Sequence, residues 1–235
     1  MSFTHLHVHS HYSLLDGLSK VEEIVDKCLA TGMMSVALTD HGNMYGIKDL
    51  LDYCKKINKA RKADGLDPFK PIVGVEAYCA RRGRHSHKED KAISPEGRTY
   101  FIDRSGYHLI LLAKNMTGYH NLCRIVSAGY MSDAYYYTPR IDRELLEKYH
   151  EGIICSSACL GGELPQKILE GIQTAGADRV QTELQILSSR EFLLPRKRRC
   201  SGSRTCSATI IILNCSAMRP RNPARTWRCT SGRNR

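Results

Sequence analysis

The sequence predicts an α/β fold with a mainly parallel arrangement of strands, because short apolar or alternating runs are each followed by a segment with helical spacing. The strand candidates are Thr4 to Val8, Ser35 to Thr39, Pro71 to Cys79, Tyr107 to Ala113 and Gly152 to Cys155. Alternating strands and helices fit either an open sheet or a barrel. Residues with metal-binding chemistry favour the barrel, whose carboxyl-terminal rim is where such folds keep their chemistry. Asp40 and His41 directly follow one strand, His9 ends another and Cys159 follows Ile153-Ile154-Cys155, whereas His108 opens its strand.

The elements follow in order. After the first strand, Ser19 stands before Val21, Ile24, Val25, Cys28 and Leu29 at helical intervals, with Glu22 as capping-box partner and Gly32 as the stop. After the second strand, Asn43 caps a helix carrying Ile47, Leu50, Leu51, Cys54 and Ile57. Arg81 to Arg104 is a polar connection too long for an ordinary turn and is expected to be a mobile rim loop. It is either a solvated insertion or, through Arg81, Arg82, Arg84 and Lys88, a contact for nucleic-acid phosphates. Further helices are expected at Gly118 to Ser127, Asp142 to Lys148 and Leu164 to Glu170.

At 235 residues and 42% hydrophobic, the chain can bury one sizeable core or two small ones, which favours one main domain with an appendage. The net charge of +11 suggests a nucleic-acid binder until it is located. Residues 190 to 235 hold 11 Arg, one Lys and one acid, a balance of +11, while residues 1 to 189 hold 23 basic and 23 acidic residues. The folded part therefore has no global basic field. Ten cysteines without a signal-peptide pattern indicate a reduced, cytoplasmic protein. No apolar run approaches the ~20 residues that span a bilayer, the longest candidate being Ala208 to Leu213, so no membrane association is expected.

Past Ser189 the composition changes abruptly, and apolar periodicity has faded from about Thr174. The expected division is a domain over 1–172 and an aberrant Arg/Cys/Ser-rich tail over 173–235, disordered or translated out of frame. Arg to Lys moves from 10:13 before residue 190 to 11:1 after it, which favours the frame explanation over a basic nucleic-acid-binding tail.

Chemistry concentrates in His7, His9, Asp16, His41, Glu76, His108 and Cys159. In extended backbone, residues two apart project to the same face, so His7 and His9 can share one site. Imidazoles, carboxylates and a thiolate together suit zinc, manganese or iron better than calcium or magnesium, which prefer all-oxygen shells. Glu76 stands in an otherwise apolar strand, where an unpaired carboxylate is costly to bury. Asp40 reads either as a partner orienting a histidine or as a polar group at a helix start, and it is the candidate catalytic acid for positioning a water. His5, His11, His85, His87, His120 and His150 read as structural. Tyr135-Tyr136-Tyr137 either stacks on single-stranded bases or packs internally.

At His5-Leu6-His7-Val8-His9-Ser10-His11-Tyr12-Ser13-Leu14-Leu15-Asp16-Gly17 and Leu38-Thr39-Asp40-His41-Gly42-Asn43-Met44 the chain resembles the polymerase and histidinol phosphatase (PHP) domain. It is similar to the form that opens the alpha subunit of bacterial replicative DNA polymerase III. Pro71 to Tyr78, His108 to Asn115, Tyr136 to Asp142 and Ser157 to Glu163 carry the resemblance onward, and it covers residues 1 to about 172.

The resemblance implies a distorted (β/α)7 TIM-like barrel, incomplete here, with up to three divalent ions held by His7, His9, Asp16, His41, Glu76, His108 and Cys159. The family also expects an Asp and a His one residue apart on a late strand, and no such pair follows Cys159. The implied activity is metal-dependent phosphoester hydrolysis, as a 3′-5′ exonuclease or a phosphomonoesterase. A metal-stabilised, non-catalytic scaffold is the alternative. The implied partners are DNA and, through the full-length polymerase, a proofreading subunit and the sliding clamp. No polymerase palm is present in these residues.

Overall fold

A computed structural model of the chain describes residues 3–93, 97–104, 106–175 and 209–211. The element order is α1 (Val21–Ala30), β1 (Ser35–Leu38), α2 (Gly46–Ala63), β2 (Lys70–Ala80), β3 (Lys91–Ile93), β4 (Thr99–Phe101), β5 (Gly106–Ala113), α3 (Met116–Gly129), β6 (Arg140–Ile141), α4 (Arg143–Tyr149), β7 (Ile153–Ser156), α5 (Glu163–Ala175) and β8 (Thr209–Ile211). The main sheet runs β1-β2-β5-β7-β8, with β6 also paired to β2. It is the sheet of a distorted, incomplete α/β barrel.

The main sheet is mainly parallel, as expected: β1, β2, β6, β7 and β8 run the same way, and β5 is reversed, antiparallel to both β2 and β7. The reason is the connection from β2 to β5, which contains no crossover helix; a return without one favours antiparallel pairing. Contrary to expectation, Thr4 to Val8 is not a regular strand. It follows β1 through one bridge, His5 to Val36, and through amides of Ala37 and Thr39 donated to the carbonyls of His5 and Val8.

Helix boundaries follow local chemistry. The cap of α1 falls one residue later than expected, at Lys20, whose amide donates to Glu23 at 3.1 Å, and Gly32 ends the turn at φ 76°. Asn43 precedes α2 by a turn, its side chain accepting from the Tyr45 amide at 3.1 Å. Asn115 and Asp142 cap α3 and α4 by accepting from the amides of Gly118 and Leu145.

Helices cover the outer face of the sheet. Val21, Val25 and Cys28 of α1 and Ile47, Leu50 and Cys54 of α2 bury against Val36, Leu38 and Phe69. Leu122 and Ile125 of α3 and Leu145 of α4 bury against Val75, Ala77, Leu111 and Ile153. Each buried Val, Leu, Ile or Phe among them stabilises the fold by about 1.5–3 kcal/mol relative to exposure. Alternation sends Ala37, Ile110 and Leu112 to the opposite, inner face, where they form a thin apolar layer. Glu76 and His108 share that face, because Glu76 pairs with Ile110 and His108 with Tyr78.

The 81–104 connection is not a free loop. It contains the β3-β4 hairpin, and the buried guanidinium of Arg140 donates to the carbonyls of Ser86, Asp103, Arg84 and Ala134 at 2.6–3.1 Å. Asp103 accepts from Arg82, Ser86 and the Lys88 amide. Residues 176–208 and 212–235, where most of the expected tail falls, lie outside the described residues. Thr209–Ile211, a β-branched run, forms β8. No helix among the described residues is long and apolar enough to cross a membrane.

Candidate metal centre

Five segments deliver the site. Glu76 comes from the middle of β2, and the chain after β1 turns back on it: the Gly42 amide donates to the Glu76 carbonyl at 2.8 Å and the Glu76 amide to the Asp40 carbonyl at 3.1 Å. Gly42 makes this possible. It sits at φ 64°, and a Cβ there would lie 2.6 Å from Pro139. His41 is thereby held over Glu76. The extended segment beside β1 supplies His7 and His9, whose Nε2 atoms lie 2.9 Å apart. The antiparallel β5 supplies His108, and the loop after β7 supplies Cys159, next to Ala158 in a left-handed conformation (φ 57°).

The Glu76 carboxylate is the hub. Its Oε2 lies 2.8 Å from His41 Nδ1, 3.2 Å from His9 Nε2 and 3.5 Å from His7 Nε2. Its Oε1 lies 2.8 Å from His108 Nδ1 and 3.8 Å from Cys159 Sγ. Asp16 approaches from the rim, Oδ2 to His41 Nε2 at 2.9 Å. The Glu76 side chain is 1% exposed while the four histidines retain 22–30%, so the cluster is a bowl with a buried floor and an open mouth.

Among the described residues, two ligand groups meet the distance requirement for a shared ion: His7, His9 and Glu76, and Glu76, His108 and Cys159. All seven residues singled out in the sequence come together here. The donor set fits a cation. Glu76 Oε2 and His41 Nδ1 are buried and close, yet neither has a hydrogen-bond partner of good geometry, as expected of atoms aimed at a common third centre.

Electrostatics match. Burial alone would push Glu76 up, but the hydrogen bond with His108 and the close imidazoles of His41, His7 and His9 overcome it and hold the carboxyl below the usual range. The Cys159 thiol and the Glu76 carboxylate push His108 up to about 10. In return His108 pulls Cys159 down, favouring the thiolate that soft metals prefer. The Glu76 carboxylate and Asp16 push His41 up.

Asp40 lies behind this shell. Its side chain accepts from the Ser10 amide (2.6 Å), the Ser10 hydroxyl (2.8 Å) and the Ser13 hydroxyl (2.8 Å), and the residue is 1% exposed. That geometry corrects the expectation that Asp40 positions a water: it faces two serines. The basic residues of the 81–104 segment are largely engaged with protein. Arg81 lies over the rings of Tyr100 and Tyr107, Arg82 pairs with Asp90 and Asp103, and Arg84 with Asp142 and Glu144. Lys88 is exposed and makes no ion pair among the described residues. Tyr136 stacks on His87 and Tyr137 lies under Arg104, so these two rings face protein groups. Sequence reasoning missed Ser10, Ser13 and the Arg140 clamp. No local pattern marks a serine whose partner is 27–30 residues away.

The family model described as the PHP domain matches residues 5–195, past the expected boundary at 172. The chain is 46% identical over 167 residues to DNA polymerase III subunit alpha of Borreliella burgdorferi, covering 71% of this chain and 13% of that one. It is 44% identical over 171 residues to the protein of the same name from Treponema pallidum, covering 73% and 13%. With that of Thermus aquaticus it shares 37% over 195 residues, covering 82% and 14%. The chain thus spans about an eighth of the length of these relatives.

Proposed function

The chain belongs to the PHP domain family, and from that premise we propose that it is the N-terminal PHP portion of a DNA polymerase III alpha subunit, cytoplasmic and serving DNA replication. Its site is a metal-dependent phosphoesterase acting as a 3′-5′ exonuclease on a DNA end. Nucleotide polymerisation, and contacts with a proofreading subunit and the sliding clamp, are proposed for the whole protein.

One observation carries the reading: Glu76 gives one oxygen to His7, His9 and His41 and the other to His108 and Cys159. His7, His9 and Glu76 would hold one divalent ion and Glu76, His108 and Cys159 another, while Asp16 and His41 could serve a further one. Zinc, manganese or iron matches the nitrogen, oxygen and sulfur donors. Such ions activate a water at neutral pH and neutralise phosphate charge. The protein's own part is to hold the donors in place, keep Glu76 away from solvent and leave the mouth open to a phosphodiester. Lys88 is the proposed phosphate contact in the 81–104 segment, beside Arg81, Arg82 and Arg84.

The test is elemental analysis of the purified chain, together with hydrolysis of a 3′-labelled oligonucleotide and of histidinol phosphate. Bound zinc, manganese or iron with release of 3′ nucleotides supports the reading. A protein that takes up no ion and cleaves neither substrate would overturn it.

A scaffold role has its own support: the ligands come from five chain segments, so ion binding would contribute folding free energy directly. Chelation separates the two. Loss of cleavage with the fold intact favours chemistry, and unfolding favours the scaffold.

A further inference from the structure

We infer that Ser13 is a positioning residue that fixes His9 as its Nδ1–H tautomer and so leaves Nε2 bare toward the ion cluster. The inference rests on the metal reading above and deepens it.

The argument is a count of protons. A serine hydroxyl has one proton to donate and two lone pairs with which to accept. The Ser13 proton goes to Asp40 Oδ1 at 2.8 Å. Asp40 also accepts from the Ser10 amide and the Ser10 hydroxyl, and the latter is itself an acceptor for the Tyr12 amide at 3.2 Å. One Ser13 lone pair receives the His41 amide at 3.1 Å, a group that can only donate. The remaining contact is His9 Nδ1 at 2.9 Å. With the Ser13 proton already placed, that nitrogen must be the donor.

A neutral imidazole protonated at Nδ1 has a bare Nε2. In His9 that atom lies 3.2 Å from Glu76 Oε2 and 2.9 Å from His7 Nε2. Three electron-rich atoms facing one another are stable only around shared protons or a cation.

The device is rigid. Ser10, Ser13 and Asp40 are all 0–1% exposed. The turn that carries Ser13 is closed by the Ser13 amide to the Ser10 carbonyl and the Gly17 amide to the Ser13 carbonyl, at 2.9 and 2.7 Å. Gly17 leaves no room for change, since a Cβ there would lie 1.8 Å from the Ser10 carbonyl oxygen. Ser13 therefore couples the end of β1, through Asp40 and the His41 amide, to the histidine on the neighbouring segment.

The test uses the full chain labelled with ¹⁵N-histidine and freed of metal by chelation. Long-range ¹H–¹⁵N spectra are recorded at a pH that leaves His9 neutral. The wild type is expected to show the Nδ1–H pattern, and Ser13→Ala a shift toward Nε2–H. Ser13→Thr, which keeps the hydroxyl, should restore the wild-type pattern. Titration with Mn²⁺ should weaken about 10- to 100-fold in Ser13→Ala, the usual effect of losing a group that orients a ligand. An Nε2–H tautomer in the wild type overturns the inference, and this holds even if Ser13→Ala does not fold. Failure of the metal reading looks different: an Nδ1–H wild type that binds no Mn²⁺, Zn²⁺ or Fe²⁺.

Discussion

His108 Nδ1 lies 2.8 Å from Glu76 Oε1 across the antiparallel β2-β5 pair, although His108 stands near the start of its strand and Glu76 past the middle of its own. Strand direction accounts for this. Reversing β5 carries its opening residues to the rim where β2 ends, so a residue misplaced for a parallel barrel becomes part of the site.

Glu76 should be the least replaceable residue of the cluster. Glu76→Ala removes the anion from beneath four imidazoles, and losing one partner of a buried charged group typically costs about 3–5 kcal/mol. Urea unfolding of the metal-free protein should show a loss of that order. Elemental analysis should show uptake at both ligand groups abolished together, because they share this carboxylate. Retention of a full complement of ions would contradict the hub.

Stability of the chelated protein should fall on the alkaline side. The His108 pKa is raised to about 10 in the fold, above an ordinary value of 6.5. The stabilisation is therefore complete below about pH 6.5 and is lost as pH rises through about 10. Solvent at the open mouth screens the effect, so about 2 kcal/mol is expected between the two limits. Denaturant midpoints at pH 6 and pH 10 measure it, and equal midpoints would refute it.

Cys159→Ser should act selectively. It replaces a soft donor with a hard, weakly acidic one, so Zn²⁺ at the Glu76-His108 position is expected to bind at least tenfold more weakly, while Mn²⁺, which prefers oxygen and nitrogen, changes less. Competition titrations would compare the two ions. An equal loss for both would mean that Cys159 is not a ligand.

Arg140→Met should release the 81–104 segment. Four carbonyls lose their donor at once, at about 1–3 kcal/mol for each group left unsatisfied in the interior, less where water enters. Amide hydrogen exchange should rise across residues 82–93 and 97–104 and remain low in α1 and α2. Unchanged exchange in the segment would show that Asp103 and the hairpin hold it without the clamp.

Acid should loosen the same segment by another route. Although burial opposes it, hydrogen bonds from Arg82, Ser86 and the Lys88 amide hold the Asp103 carboxyl down at about 2. Its contribution is present above the ordinary value near 4 and is lost as pH falls through about 2. The expected change is on the order of 1 kcal/mol after screening. Exchange protection of the hairpin measured from pH 5 to pH 2 would detect it, and a flat profile would count against the Asp103 anchor.

Local chemistry was legible in the residues themselves. Helical spacing located α1 to α5 to within a few residues, since a 3.6-residue apolar period needs no knowledge of the partner surface. Asp142 opens its helix as expected, whereas the expected caps Ser19 and Asn43 lie one and two residues before the caps found, Lys20 and Tyr45, and Asn115, which caps α3, was not foreseen. The donor chemistry of His7, His9, Asp16, His41, Glu76, His108 and Cys159 was likewise visible as residue type and spacing.

By itself, then, the sequence determined which segments are helical, which runs are apolar enough to be strands and which side chains can ligate a cation. Tertiary structure alone decided that β5 runs backwards, that the 81–104 segment is clamped by Arg140, and that Ser13 stands between Asp40 and His9. An alternating strand pattern reads the same in either direction. A hydrogen bond between residues some 30 apart leaves no periodic trace, because its energy depends on where the whole backbone has carried the two groups.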